Sequence, residues 1–108
     1  LYGDQVLVDI AAIMQNSIRD TDLAGRYGGE EFLVIFTNAD LAAASNIAER
    51  IRRAVEGISF PDGVQVTISG GIKQYEGENF AELIQAADKN LYEAKSRGKN
   101  LIAYFGNT

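Results

Sequence analysis

Apolar residues in this chain keep two different periods, and the order in which those periods alternate most constrains the fold. From Asp4 to about Ile18, Val6, Leu7, Ile10, Ala11, Ile13, Met14 and Ile18 recur every third or fourth position, which predicts a helix with one apolar face. Asp20, Thr21 and Asp22 break the pattern, and Leu23 and Ala24 lead through Arg26 and Tyr27 as a first expected strand. A second, rich in β-branched and aromatic residues, is expected from Glu31 to Phe36, and the pair Gly28-Gly29 between them predicts a hairpin. Thr37, Asn38 and Asp40 offer caps ahead of Leu41, Ala44, Ile47, Ala48, Ile51 and Val55, a helical spacing that Gly57 stops. Phe60-Pro61-Asp62-Gly63 reads as a turn. Val64 to Ser69 then alternates apolar with polar side chains as a half-buried strand does, with Gly70-Gly71 interrupting it before Ile72 to Tyr75. A last helix from about Asn79 to Ser96 is expected to bury Phe80, Leu83, Ile84, Ala87 and Leu91, and after Gly98 the run Leu101 to Phe105 makes a final strand. Strands joined partly by a hairpin and partly by helices predict an α+β fold, with helices packed on a mainly antiparallel sheet, in a single domain over residues 1–108.

Composition narrows the chemistry. The 108 residues are 46% hydrophobic with a single proline, enough apolar side chain to build a core. There is no cysteine and no histidine. A bound cation must therefore be held by oxygen, which favours magnesium, manganese or calcium over zinc, and the lack of cysteine accords with a cytoplasmic setting. A net charge of −5 opposes binding along a DNA or RNA polymer, which requires a basic face to displace counterions. A small phosphate ligand needs only a local group of donors, and Lys95, Arg97 and Lys99 supply one. No apolar run approaches the ~20 residues of a membrane span, and Leu1-Tyr2-Gly3-Asp4 lacks the basic-then-apolar order of a signal peptide.

Two glycines followed by two carboxylates at a hairpin tip admit two readings. Glycines allow positive φ and close approach of phosphate to the amides, and a neighbouring carboxylate can hold a divalent cation that bridges those phosphates. A type I′ turn with two solvated glutamates is the other reading, and the turn by itself leaves both open.

The whole run Arg26-Tyr27-Gly28-Gly29-Glu30-Glu31-Phe32 resembles the RYGGEEF form of the motif that names the GGDEF family of diguanylate cyclases. Four more segments agree in order: Gly3-Asp4-Gln5-Val6-Leu7 resembles GDxxL, Val66-Thr67-Ile68-Ser69-Gly70-Gly71 resembles VTxSxG, Ala87 to Lys95 resembles ADxxLYxAK, and Gly98-Lys99-Asn100 resembles the closing GRN or GKN. The resemblance implies two GTP molecules, one on each protomer of a homodimer, each attacking the other's α-phosphate through a ribose 3′-hydroxyl and expelling pyrophosphate, with Mg2+ or Mn2+. It implies Glu30 as the metal-binding carboxylate and catalytic base, with Glu31 a weaker, partly structural candidate because neighbours on a strand face opposite ways. It also implies Gly28 and Gly29 amides toward phosphate, and Asp4 on the guanine edge, where a carboxylate accepts from N1–H and the 2-amino group. Asp4 is equally read as a helix N-cap. Lys95 and Lys99 match the positions that hold the triphosphate; Lys99 offers a point charge where the family commonly has the arginine fork. Arg97 matches no family role and reads as a solvated charge.

Arg19-Asp20-Thr21-Asp22 stands at the spacing of the family's RxxD product-inhibition site, which implies that Arg19 and Asp22 bind cyclic di-GMP. Arg50 matches a supporting arginine in some members and reads equally as an exposed helix charge. The resemblance covers the C-terminal two thirds of the family's domain, and the first strand, with its aspartate partner for Glu30 and a lysine and asparagine for phosphate and guanine, matches nothing in these residues. The expectations that follow are little cyclase activity from the 108 residues alone and a dimer that covers the exposed sheet edge. A non-catalytic cyclic di-GMP-binding module and a dimerising fragment are the competing readings.

Overall fold

A computed structural model describes residues 2–28, 31–60 and 63–103, and contacts divide the chain into two compact units, Leu1–Ala39 and Asp40–Thr108. The first unit holds helix α1 (Tyr2–Ser17) and strands β1 (Leu23–Gly28) and β2 (Glu31–Ile35). The second holds α2 (Leu41–Glu56), β3 (Gly70–Gly71), α3 (Phe80–Ser96) and β4 (Ile102–Ala103). This is the α+β class that the alternating periods predict.

In the first unit, α1 buries Ile10 from its apolar stripe, and β1 pairs antiparallel with β2 from Leu23↔Ile35 to Gly28↔Glu31. Register slips between Arg26 and Gly28, so that Tyr27 is an extra residue on β1, a bulge that twists the hairpin next to its tip. Gly28 belongs to the strand, while the rest of the expected glycine turn, Gly29 and Glu30, lies outside the described residues. Because α1 starts at Tyr2, Asp4 sits inside its first turn and is not the N-cap; a negative charge there still meets the positive end of the helix dipole.

In the second unit, helix punctuation follows the sequence closely. Of the three candidate caps, Asp40 is the one used: its side chain accepts from the Ala43 amide, and Gly57 closes α2 at the far end. Ala44, Ile47, Ile51 and Val55 are buried along one stripe, with Val55 fully enclosed. Asn79 and Glu82 form a reciprocal capping box at the start of α3. The helix packs on a parallel pair, Gly70↔Ile102 and Gly71↔Ala103. A Cβ on Gly71 would collide with the backbone of Ala87 and Leu91, so glycine is what lets the strand lie against the helix.

Two expectations fail here. Phe80 is 58% exposed. Gly71 meets α3 at Ala87–Leu91, and Phe80, seven residues earlier, stands ~10 Å up the helix axis, beyond that contact. Residues 64–69 carry the alternating pattern but form no strand, because no described backbone pairs with them; the ladder is confined to Gly70–Gly71. The turn at residues 60–63 is closed by the Gly63 amide donating to the Phe60 carbonyl at 3.0 Å, with Gly63 at φ +73°, while Pro61 and Asp62 lie outside the described residues.

Candidate functional site

Between α1 and the hairpin of the first unit lies an open cleft of about 340 Å³. Leu7, Ala11, Met14 and Phe32 give it an apolar lining, and Asp4 and Arg26 bring charge to it. An open cleft with a mostly apolar lining and few polar groups suits a ring system, and a carboxylate in that lining suits a ring that carries N–H donors. Glu31 opens β2 and is exposed. Glu30 and Gly29 fall outside the described residues, so the catalytic and metal role expected of Glu30 has no geometry here. Among the described residues no three acidic side chains converge on a point that could hold a cation.

Arg19 and Asp22 are brought together in full. The Asp22 side chain is 0% exposed, while that of Arg19 is 41% exposed. Oδ2 accepts from the Arg19 backbone amide and from Nε, both at 2.9 Å, and Oδ1 accepts from Nη2 at 2.9 Å and from the Thr37 amide at 3.0 Å. Arg19 Nη2 also donates to the Thr37 carbonyl, and the Thr37 hydroxyl donates to the Thr21 carbonyl at 3.0 Å. Hydrogen bonding by the Arg19 guanidinium, reinforced by the two amides, holds the Asp22 carboxyl well below the usual range against the opposing effect of burial. The turn after α1 is thereby clamped to the end of β2. Thr37 appeared in the sequence only as a candidate cap, and nothing local in it announces this contact with a residue fifteen positions away.

Lys95 lies in the last turn of α3, where a cation favours the helix dipole, and Lys99 lies just past the helix end. The Gly98 amide donates to the Lys95 carbonyl at 3.4 Å and the Lys99 amide to the Ala94 carbonyl at 3.0 Å, the two bonds of a Schellman stop. Both lysines are exposed. Arg50 is on α2, also exposed. The side chain beside it, Glu49, is pulled down to about 2 by its hydrogen bonds from Arg52, with Arg53 adding to the effect. Arg52 itself binds Glu49 through Nε at 2.8 Å and Nη2 at 2.6 Å. It also reaches Asn100 Oδ1 through Nη1 at 2.8 Å, a contact spanning 48 positions that sequence spacing does not reveal.

The family model described as "Diguanylate cyclase, GGDEF domain" matches residues 1–101. The chain belongs to the GGDEF family. It is 44% identical over 105 residues to Diguanylate cyclase A of Treponema denticola, covering 93% of this chain and 28% of that protein. To the response regulator PleD of Caulobacter vibrioides it is 41% identical over 107 residues, covering 93% of this chain and 24% of PleD. The chain thus spans about a quarter of the curated relatives' length. In three dimensions it is similar to the active GGEEF domain of a diguanylate cyclase from Vibrio cholerae, with a TM-score of 0.89 at 29% identity, over 98% of this chain and 70% of the other. It is also similar to the GGDEF domain of DgcB from Caulobacter crescentus in complex with c-di-GMP, with a TM-score of 0.87 at 28% identity, over 95% of this chain and 64% of that one. Among the described residues no helix of this GGDEF chain is long and apolar enough to cross a membrane.

Proposed function

We propose that this chain serves the condensation of two GTP molecules into cyclic di-GMP and two pyrophosphates, acting as a homodimer in the bacterial cytoplasm, its two compact units together making one GGDEF domain. The observation that carries this reading is the cleft between α1 and the hairpin, with a mostly apolar lining for a purine ring and Asp4 in that lining. Guanine presents N1–H and a 2-amino group to one carboxylate, and adenine offers no such pair of donors. By the family match, residue by residue, the Gly28-Gly29-Glu30-Glu31 segment is assigned to the phosphates, and Lys95 and Lys99 to the charge of the triphosphate tail. In each half-reaction a 3′-oxygen bonds to the partner nucleotide's α-phosphorus as the bond to the bridging oxygen breaks. The hydroxyl proton passes to Glu30 and pyrophosphate departs.

Magnesium or manganese would supply charge neutralisation on the phosphates. The donor set fits a nucleotide-borne ion: with no histidine or cysteine in the chain, Glu30 would hold it together with phosphate and water oxygens, the usual mode of magnesium at nucleotides. Assayed as an isolated 108-residue polypeptide, little or no turnover is expected, since none of its residues matches the aspartate with which Glu30 is paired in the family.

A second reading, product binding, is favoured by the Arg19 clamp. With Nε and both Nη2 hydrogens engaged, Nη1 retains two hydrogens for a guanine Hoogsteen edge or a phosphate, and Asp22 serves by holding Arg19 in place. By the family match alone, Arg50 is proposed as a supporting residue for product binding. The deciding experiment incubates the protein as encoded with GTP and magnesium and follows cyclic di-GMP and pyrophosphate, expected at one to two. Glu30→Gln is expected to abolish both. Product formed at an undiminished rate by Glu30→Gln would overturn the catalytic assignment, while calorimetry showing cyclic di-GMP bound equally by Arg19→Ala would overturn the second reading.

A further inference from the structure

Three consecutive residues after α3 have left-handed backbone: Gly98 at φ +117°, Lys99 at +64° and Asn100 at +50°. Ending the helix accounts for Gly98 alone, since a Schellman stop needs one left-handed residue and glycine adopts it freely. Lys99 carries a side chain that disfavours this region, and although asparagine tolerates it better than most residues, a run of three left-handed residues asks for more than local preference to hold it.

What holds them is a set of bonds converging on Asn100 from two other segments. Its Oδ1 accepts from Arg52 Nη1 at 2.8 Å, its Nδ2 donates to Glu56 Oε2 at 2.7 Å, and its backbone amide donates to Ser69 Oγ at 3.0 Å. Arg52 is in turn fixed by the Glu49 fork and by a longer contact to Glu56 at 3.4 Å, and its side chain is only 13% exposed. On the other side, the Lys99 amide is tied to the Ala94 carbonyl at 3.0 Å. Lys99 is thus pinned at its own backbone and at the next residue, while its side chain reaches solvent.

We propose that Arg52 and Glu56, acting through Asn100, are positioning residues that fix the backbone from which Lys99 offers its ammonium group to the triphosphate; this rests on the reading of Lys99 given above. A lysine stem has four rotatable bonds, so an unanchored loop would spread its charge over a wide volume. Fixing the Cα removes the backbone share of that disorder before the ligand arrives. The Arg52 and Arg53 charges offset those of Glu49 and Glu56, so the network contributes placement and leaves the attractive charge to Lys99.

The test uses tripolyphosphate as the probe, titrated calorimetrically into the protein as encoded. Lys99→Ala is expected to weaken binding about tenfold, the effect of one charge contact. Asn100→Gly keeps the left-handed backbone accessible while removing both side-chain anchors, and is expected to weaken binding about fivefold. Glu56→Ala removes one of those two anchors and should weaken binding about threefold, whereas Glu56→Gln, which removes the same charge but retains an acceptor for Asn100 Nδ2, should stay within about 1.5-fold of wild type. The double variant Lys99→Ala/Asn100→Gly should bind no worse than Lys99→Ala, because Asn100 acts through that lysine. Losses that multiply in the double variant, or Asn100→Gly binding as tightly as wild type while Lys99→Ala does not, would overturn the positioning role alone. Lys99→Ala binding as tightly as wild type would overturn the triphosphate reading and this proposal together.

Discussion

Replacing Asp22 with asparagine keeps its shape and removes one acceptor oxygen, which makes it a sharp probe of the clamp behind α1. All four donors that meet the carboxylate lie between 2.9 and 3.0 Å, two on each oxygen. An amide placed with its oxygen at the Oδ1 position satisfies Arg19 Nη2 and the Thr37 amide but turns N–H against the Arg19 amide and Nε. The flipped amide reverses the conflict. Either way two of four charge-assisted bonds are lost, each about 1.5–3 kcal/mol in net terms. Arg19 is partly exposed and can turn its Nε toward water, recovering part of that loss. We expect about 3 kcal/mol of destabilisation, below the upper end for breaking a fully buried pair. The assay is urea unfolding followed by far-ultraviolet circular dichroism. At roughly 4 °C per kcal/mol for a domain of this size, the thermal midpoint should fall by about 12 °C. Arg19→Lys, which keeps a positive charge beside Asp22, should lose only about 1–2 kcal/mol while still removing the guanidinium fork. Asp22→Asn unfolding within about 0.5 kcal/mol of wild type would refute the reasoning, since a surface substitution behaves that way.

Acid should act on the same contacts. The folded-state pKa values of Asp22 and Glu49 are depressed, the latter from 4.5 to about 2. Their stabilising contribution is therefore complete above the unfolded values and drains as pH falls through ~4 toward 2, so urea midpoints should drop across that window and Asp22→Asn should flatten the slope. Gly71→Ala drives a methyl group into the α3 backbone and is expected to cost about 3 kcal/mol, checked by the same unfolding assay. Asp4→Ala should weaken GTP binding by about 1–3 kcal/mol and leave ATP binding unchanged, measured by competition calorimetry; an equal loss for both nucleotides would remove Asp4 from guanine recognition.

What could be read from the chain was what local chemistry decides. Asp40 and Gly57 bracket α2 because a cap and a stop act within one turn. The family-matching segments put Asp4 at a cleft and Lys95 and Lys99 at a helix end for the same reason, since their positions follow from where helices begin and finish. Phe80 and residues 64–69 depart from their periodicity because burial and strand pairing depend on a partner elsewhere, and the pattern of a segment does not say how far that partner reaches.

The same distinction separates residues that receive a ligand from residues that hold the receiver. Asp4 and Asp22 are identical in type and each stands in a family-like motif, yet one is exposed and borders a cleft while the other is enclosed with all its acceptor positions taken. A carboxylate in the second condition can meet guanine only by releasing bonds that keep the turn after α1 attached to β2, a loss set against any ligand bond gained. Arg19, with two hydrogens on Nη1 still available, meets a ligand without that loss. Cyclic di-GMP affinity should therefore respond to Asp22 through stability and to Arg19 directly. Arg19→Lys should weaken cyclic di-GMP far more than its modest effect on folding, whereas Asp22→Asn, measured under conditions where it remains folded, should retain much of the affinity. Equal losses of affinity in the two folded variants would place Asp22 among the ligand's own contacts.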